Sequence, residues 1–87
     1  MKAQASASFR KRFEKLSAEL QKTAIKQFKL WKLDHHHPSL EFKPVGTFWS
    51  ARVNDACRAL GEMVDEDTIR WFWIGMHDEY ERLIGRG

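Results

Sequence analysis

The sequence predicts an α+β domain: two N-terminal helices packed on a small antiparallel sheet of three to four strands, closed by a short C-terminal helix. Three observations carry this. The first third places apolar residues at helical spacing. Residues 40–74 then break into short alternating or wholly apolar runs separated by Pro, Gly, Asn and Asp. A polar group, His77-Asp78-Glu79-Tyr80, follows the last of these runs. With 87 residues, the chain has room for one domain, 1–87.

Ser8–Leu16 (SFRKRFEKL) sets Phe9, Phe13 and Leu16 on one helical face, with Ser8 as the expected N-cap. Ser17 or Leu16 breaks the pair, and Ser17 opens a second helix carrying Leu20, Ala24, Phe28 and Trp31. Lys15, Lys22, Lys26 and Lys29 fall on the opposite face. Asp34 to Pro38 ends this helix, because Pro38 drives His37 out of the α region. Leu40–Val45 alternates as an edge strand that Pro44 closes.

Phe48–Val53 puts Trp49, Ala51 and Val53 on one face, Ser50 and Arg52 on the other. Asn54-Asp55 marks a turn, and Cys57–Met63 forms the next strand. Val64–Asp67 reads as a tight acidic turn. Thr68–Ile74 is apolar on both faces apart from Arg70, which predicts a central strand. A last helix starts near His77. Such short links force antiparallel pairing. Phe9, Phe13, Leu20, Phe28 and Trp31 are expected to pack on Trp49, Val53 and some of Ile69, Trp71 and Trp73.

Composition narrows the function. The single Cys57 rules out an internal disulfide and a cysteine-based zinc site, which fits a cytoplasmic protein. No apolar run could span a membrane, and the N-terminal stretch lacks the apolar core of a signal peptide. Met1–Lys32 carries nine basic and two acidic residues, and Gly61–Gly87 three basic and seven acidic. A basic end of this kind attracts polyanions, although a solvated helix face would look the same.

Arg52 and Arg58 lie on adjacent strands. If they share a face, their guanidinium groups can fork around a phosphate; otherwise each pairs with a carboxylate such as Asp55 or Glu62. His77 can act as general acid or base, or cap the last helix. Asp78 is the better cap. Tyr80 can donate a proton, stack on a base, or serve the core. His35-His36-His37 points in three directions and is not expected to bind metal. His37, Glu41 and Lys43 would border the site if the first of these strands edges it.

Taken in order, SFRKRFEKL (8–16), HPSLEFK (37–43), FWSARV (48–53), CRALG (57–61) and IRWFWIGMHDEYERLI (69–84) resemble the RelE/ParE superfamily of bacterial type II toxins, over nearly the whole chain. The resemblance implies two helices against a curved antiparallel sheet, and an antitoxin that wraps the toxin. In the RelE branch it implies mRNA cleavage on the ribosome, with the 2′-hydroxyl attacking the adjacent phosphate and no metal or other cofactor. By position, Arg58 matches the strand arginine that grips the scissile phosphate, and Arg52 the basic residue on the preceding strand. His77 and Tyr80 fall where the acid/base or base-stacking residue lies. Lys43 is an RNA contact, and Lys22, Lys26 and Lys29 on the basic helices would bind ribosomal RNA.

Departures from the family pattern are equally specific. A pair of lysines on the middle strand is reduced to Ser50 and Arg52, and Cys57 stands where an aromatic residue is frequent. The first strand is expected to be nearly absent, because Met1–Ala7 offers only alanines besides Met1. The same resemblance admits two other functions: a non-enzymatic DNA gyrase inhibitor of the ParE branch, or an inactive antitoxin-binding remnant.

Overall fold

A computed structural model describes residues 1–85. In chain order it contains β1 (Lys2–Ala5), α1 (Ala7–Glu14), α2 (Ala18–Leu33), a 3₁₀ turn (Pro38–Leu40), β2 (Lys43–Val45), β3 (Phe48–Asn54), β4 (Cys57–Asp65), β5 (Thr68–Met76) and α3 (His77–Ile84). The class is α+β, as the sequence predicts. The sheet is mixed and five-stranded, however, in the order β1-β5-β4-β3-β2.

The added strand is β1. It pairs parallel with β5, from Lys2 opposite Thr68 to Ala5 opposite Trp71. Backbone bonds from Lys2 to Asp67 (2.7 Å) and from Ser6 to Trp71 (2.9 Å) close both ends. The small side chains that hide this strand in the sequence suit it here. Ala3 and Ala5 pack against the aromatic core without displacing it.

Other boundaries shift for local reasons. Ser6, not Ser8, caps α1, accepting from the Phe9 amide at 3.1 Å. Ser8 instead donates to the Phe72 carbonyl at 2.9 Å, tying α1 to β5. Ser17 caps α2 as expected, accepting from the Leu20 amide. The edge strand begins at Lys43 rather than Leu40, because Pro38–Leu40 winds a 3₁₀ turn that ends in left-handed Glu41 (φ 42°). Gly46 (φ +62°) supplies the positive φ of the tight β2–β3 turn. The acidic turn is shorter than predicted: β4 runs through Val64 to Asp65, so only Glu66 and Asp67 turn.

One irregularity organises the sheet. Gly61 pairs with Trp71, but Leu60 pairs with Trp73, so Phe72 is an extra residue in β5. Before this bulge, Ile69 and Trp71 face the helices and join Phe9, Ala24 and Trp31 in the main core. After it, Trp73 faces the other way and packs with Leu60 and Tyr80 of α3. The bulge is why β5 reads as apolar on both faces. Of the three expected β5 core residues, Ile69 and Trp71 pack under the helices and Trp73 does not.

Trp71 is the hub of the main core, with Phe28 at 5.4 Å, Trp31 at 5.8 Å and Phe42 at 6.2 Å between ring centroids. Gly61 lies opposite, and a Cβ there would come within 2.9 Å of Ile69 side-chain carbons and 3.0 Å of the Trp71 ring. Among the described residues no helix is long and apolar enough to cross a membrane.

Two stability outcomes follow from this packing. Trp71→Ala should cost roughly 3–5 kcal/mol and leave little folded protein in a thermal melt. Ser6→Ala should cost about 1 kcal/mol by losing the α1 cap.

Candidate functional site

The face of the sheet away from α1 and α2 carries the site. Strand alternation puts Ser50 and Arg52 of β3, and Arg58 of β4, on this side. Arg52 and Arg58 are direct cross-strand partners. Together with Glu41, Lys43, Val45, His77, Tyr80, Glu81 and Ile84 they line a pocket of about 250 Å³. The condition set by the sequence, that the two arginines share a face, is therefore met.

Their electrostatic situations differ. Arg52 is held by carboxylates: it bonds Asp55 through one terminal nitrogen and lies 3.4 Å from Glu41 through Nε. It also donates to the Ser39 carbonyl. The Arg52 hydrogen bond and charge hold the Asp55 carboxyl below the usual carboxylate range, and Arg58 adds a smaller pull. Arg58 donates to the backbone carbonyls of Asn54 and Cys57. Among the described residues it has no carboxylate within ion-pair distance. Its charge is fixed in place but not neutralised, which is what anion binding requires.

α3 forms the adjoining wall. It begins where β5 ends, with the His77 amide bonded to the Ala56 carbonyl at 2.7 Å across the β3–β4 turn. The His77 ring lies over the Tyr80 ring at 5.8 Å, with the planes 28° apart. His77 Nε2 is 3.0 Å from Glu81 Oε1, one helical turn on. Tyr80 is 5 % exposed, and its hydroxyl donates to Ser50 Oγ at 2.9 Å. Asp78 does not cap α3: the N-cap is Met76, with no side-chain cap bond, so Asp78 contributes only first-turn charge.

The structure thus brings together Arg52, Arg58, His77, Tyr80 and Lys43. Lys22, Lys26 and Lys29 are exposed on α2, outside the pocket. Glu41 borders the pocket and His37 does not, since its Nδ1 accepts from the Ser39 amide at the 3₁₀ turn. Glu81 is the site residue that the sequence reading misses, although its i, i+4 spacing from His77 signals it. Beneath the arginines, burial pushes the Cys57 thiol from the usual 9.0 up to about 11, against smaller opposing pulls from Arg58 and a backbone hydrogen bond. No group of three or more metal-ligating side chains occurs among the described residues.

No protein-family model and no curated protein matches the sequence. Solved structures do match. The chain superposes on a YoeB/ParE toxin from Agrobacterium tumefaciens with a TM-score of 0.68 at 14% identity, covering 88% of this chain and 99% of that one. The toxin–antitoxin complex RelBE2 from Mycobacterium tuberculosis gives 0.65 at 20% identity, covering 87% and 96%. YafQ from E. coli gives 0.63 at 13% identity, covering 90% and 94%. The chain has the RelE/ParE-type toxin fold.

Two outcomes test the buried side of the site. Tyr80→Phe should cost about 1–2 kcal/mol in denaturant unfolding, because the Ser50 hydroxyl, in a residue only 2 % exposed, loses its partner. Cys57 should resist a thiol reagent at pH 8 and react at once after unfolding. Its folded-state value lies above the unfolded one, so the stability it contributes is present below pH 9.0 and lost as pH rises toward 11.

Proposed function

We propose that this chain is the toxin of a type II toxin–antitoxin system and acts as a ribosome-dependent, metal-independent mRNA endoribonuclease in the cytoplasm. The observation that carries this is the registered pair Arg52 and Arg58 beside His77 in one pocket. Two guanidinium groups on one ladder suit a phosphate whose charge grows in the transition state. The RNA 2′-oxygen bonds to phosphorus, the bond to O5′ breaks, and a cyclic phosphate and a 5′-hydroxyl result. Arg58 and Arg52 stabilise the phosphorane, and the α3 wall of the pocket, where His77 and Glu81 lie, supplies the group for proton transfer. Tyr80, buried at 5 % exposure, supports the His77 ring. Lys43 contacts the RNA backbone, and Lys22, Lys26 and Lys29 bind ribosomal RNA phosphates.

The partners in this reading are the ribosome with its mRNA and a cognate antitoxin. One matching structure is itself a toxin–antitoxin complex, which supports the antitoxin partner. A second reading, non-enzymatic inhibition of DNA gyrase, draws on Arg52. Its pairing with Glu41 and Asp55 leaves a site less cationic than its residues suggest. The inactive-remnant reading loses its motive, since the first strand is formed and paired.

Induction in a bacterial host without antitoxin, with mapping of mRNA 5′ ends, tests the proposal. New cuts within translated codons are expected, reduced about 100-fold or more by Arg58→Ala. Growth arrest without cuts would move the assignment to gyrase. Neither arrest nor cuts would overturn both active readings.

A further inference from the structure

His77 attracts attention as the imidazole of the pocket, but its geometry is unsuited to accepting a proton. Its Nε2 faces Glu81 Oε1 at 3.0 Å. A carboxylate can only accept, so Nε2 carries the hydrogen. The lone pair then sits on Nδ1, which is fully buried and has no hydrogen-bond partner among the described residues. A substrate hydroxyl in the pocket cannot reach that atom. The ring also stacks on Tyr80, whose hydroxyl donates to Ser50.

Glu81 is the opposite case. Its side chain is 58 % exposed and lines the same pocket as Arg58 and Lys43. One carboxylate oxygen lies 3.0 Å from His77 Nε2, and the other has no partner among the described residues. A helical i, i+4 pair at this exposure contributes little to stability. The arrangement is therefore better explained as orientation than as stabilisation.

We infer that Glu81 is the general base of the site and that His77 is its positioning residue. This rests on the nuclease reading and deepens it. The Glu81 carboxylate takes the proton of the 2′-hydroxyl as the bond from O2′ to phosphorus forms. Arg58 and Arg52 hold the phosphorane. O5′ departs with the electron pair of its bond to phosphorus and takes a proton from water at the open side of the pocket. The His77 N–H stays on Nε2 throughout and aims the carboxylate.

Single-turnover cleavage of mRNA on programmed ribosomes tests this, with ribosome binding measured in parallel. Glu81→Gln keeps the acceptor for His77 but removes the base. It should slow cleavage about 100-fold with binding unchanged. His77→Ala leaves the base in place and should slow it only about tenfold, an order below the full loss of a base. Added formate should restore part of the rate of Glu81→Ala, and added imidazole should not restore His77→Ala. Glu81 is exposed on the last helix, so circular dichroism should show both of its variants folded. Glu81→Gln cutting within about twofold of the parent, or imidazole rescue of a severely slowed His77→Ala, would return the base to the histidine and overturn the inference while leaving the nuclease reading intact. A parent protein that cuts no ribosome-bound mRNA would overturn the nuclease reading and this inference with it.

Discussion

Arg52 and Arg58 face each other directly across one antiparallel ladder. Like charges in this position repel, at a cost of up to about 1 kcal/mol. Much of the surrounding structure manages that repulsion. Glu41 and Asp55 hold the Arg52 guanidinium from two sides, and carbonyls of the β3–β4 turn hold that of Arg58. Glu41 reaches Arg52 from a left-handed backbone position that a non-glycine residue occupies at some cost. A fold selected for stability alone has no use for such a pair. A local rule broken and then compensated on every side is what a binding site looks like.

The sheet can carry this polar face because the bulge at Phe72 divides the aromatic residues between its two sides. Without the extra residue, alternation would keep Trp73 on the side of Trp71. Leu60 and Tyr80 would then lack the ring that they pack against. With it, Trp71 closes the helix-side core, and Trp73 anchors Tyr80 and hence α3. Tyr80 in turn stacks on His77, and His77 Nε2 lies 3.0 Å from Glu81. A single backbone irregularity thus connects the core to the wall of the pocket, and this is where bulges commonly serve sites.

Features set by near neighbours along the chain were legible in the sequence. The shared face of Ser50 and Arg52 follows from alternation, and the Ser17 cap follows from its place before an apolar periodic run. β1 was not legible, because nothing in Lys2–Ala5 distinguishes a strand. Its formation depends on the free edge of β5, more than sixty residues away. The face of Trp73 was hidden for a related reason: a bulge is a property of two paired strands, and one strand's pattern does not reveal it. Ser8 illustrates a third limit. It is a good N-cap by type, but Ser6 occupies that position and Ser8 bonds a distant carbonyl. Glu81 was legible, four residues after His77, and was missed because a histidine beside a strand end drew the chemical role to itself.

The placement of positive charge argues about the scale of the partner. Lys22, Lys26 and Lys29 project from α2, which covers one face of the sheet, while Arg58 and Lys43 open on the other. No single phosphodiester can touch both sets. Electrostatic attraction between exposed charges fades beyond about 8 Å at physiological salt, so the helix lysines cannot guide an RNA strand into the pocket by field alone through the thickness of the domain. A small oligonucleotide would use one face and leave the other idle. A partner that encloses the domain, presenting phosphates to α2 while threading a strand past Arg58, would use both. The ribosome proposed above has that form, and an isolated RNA strand does not.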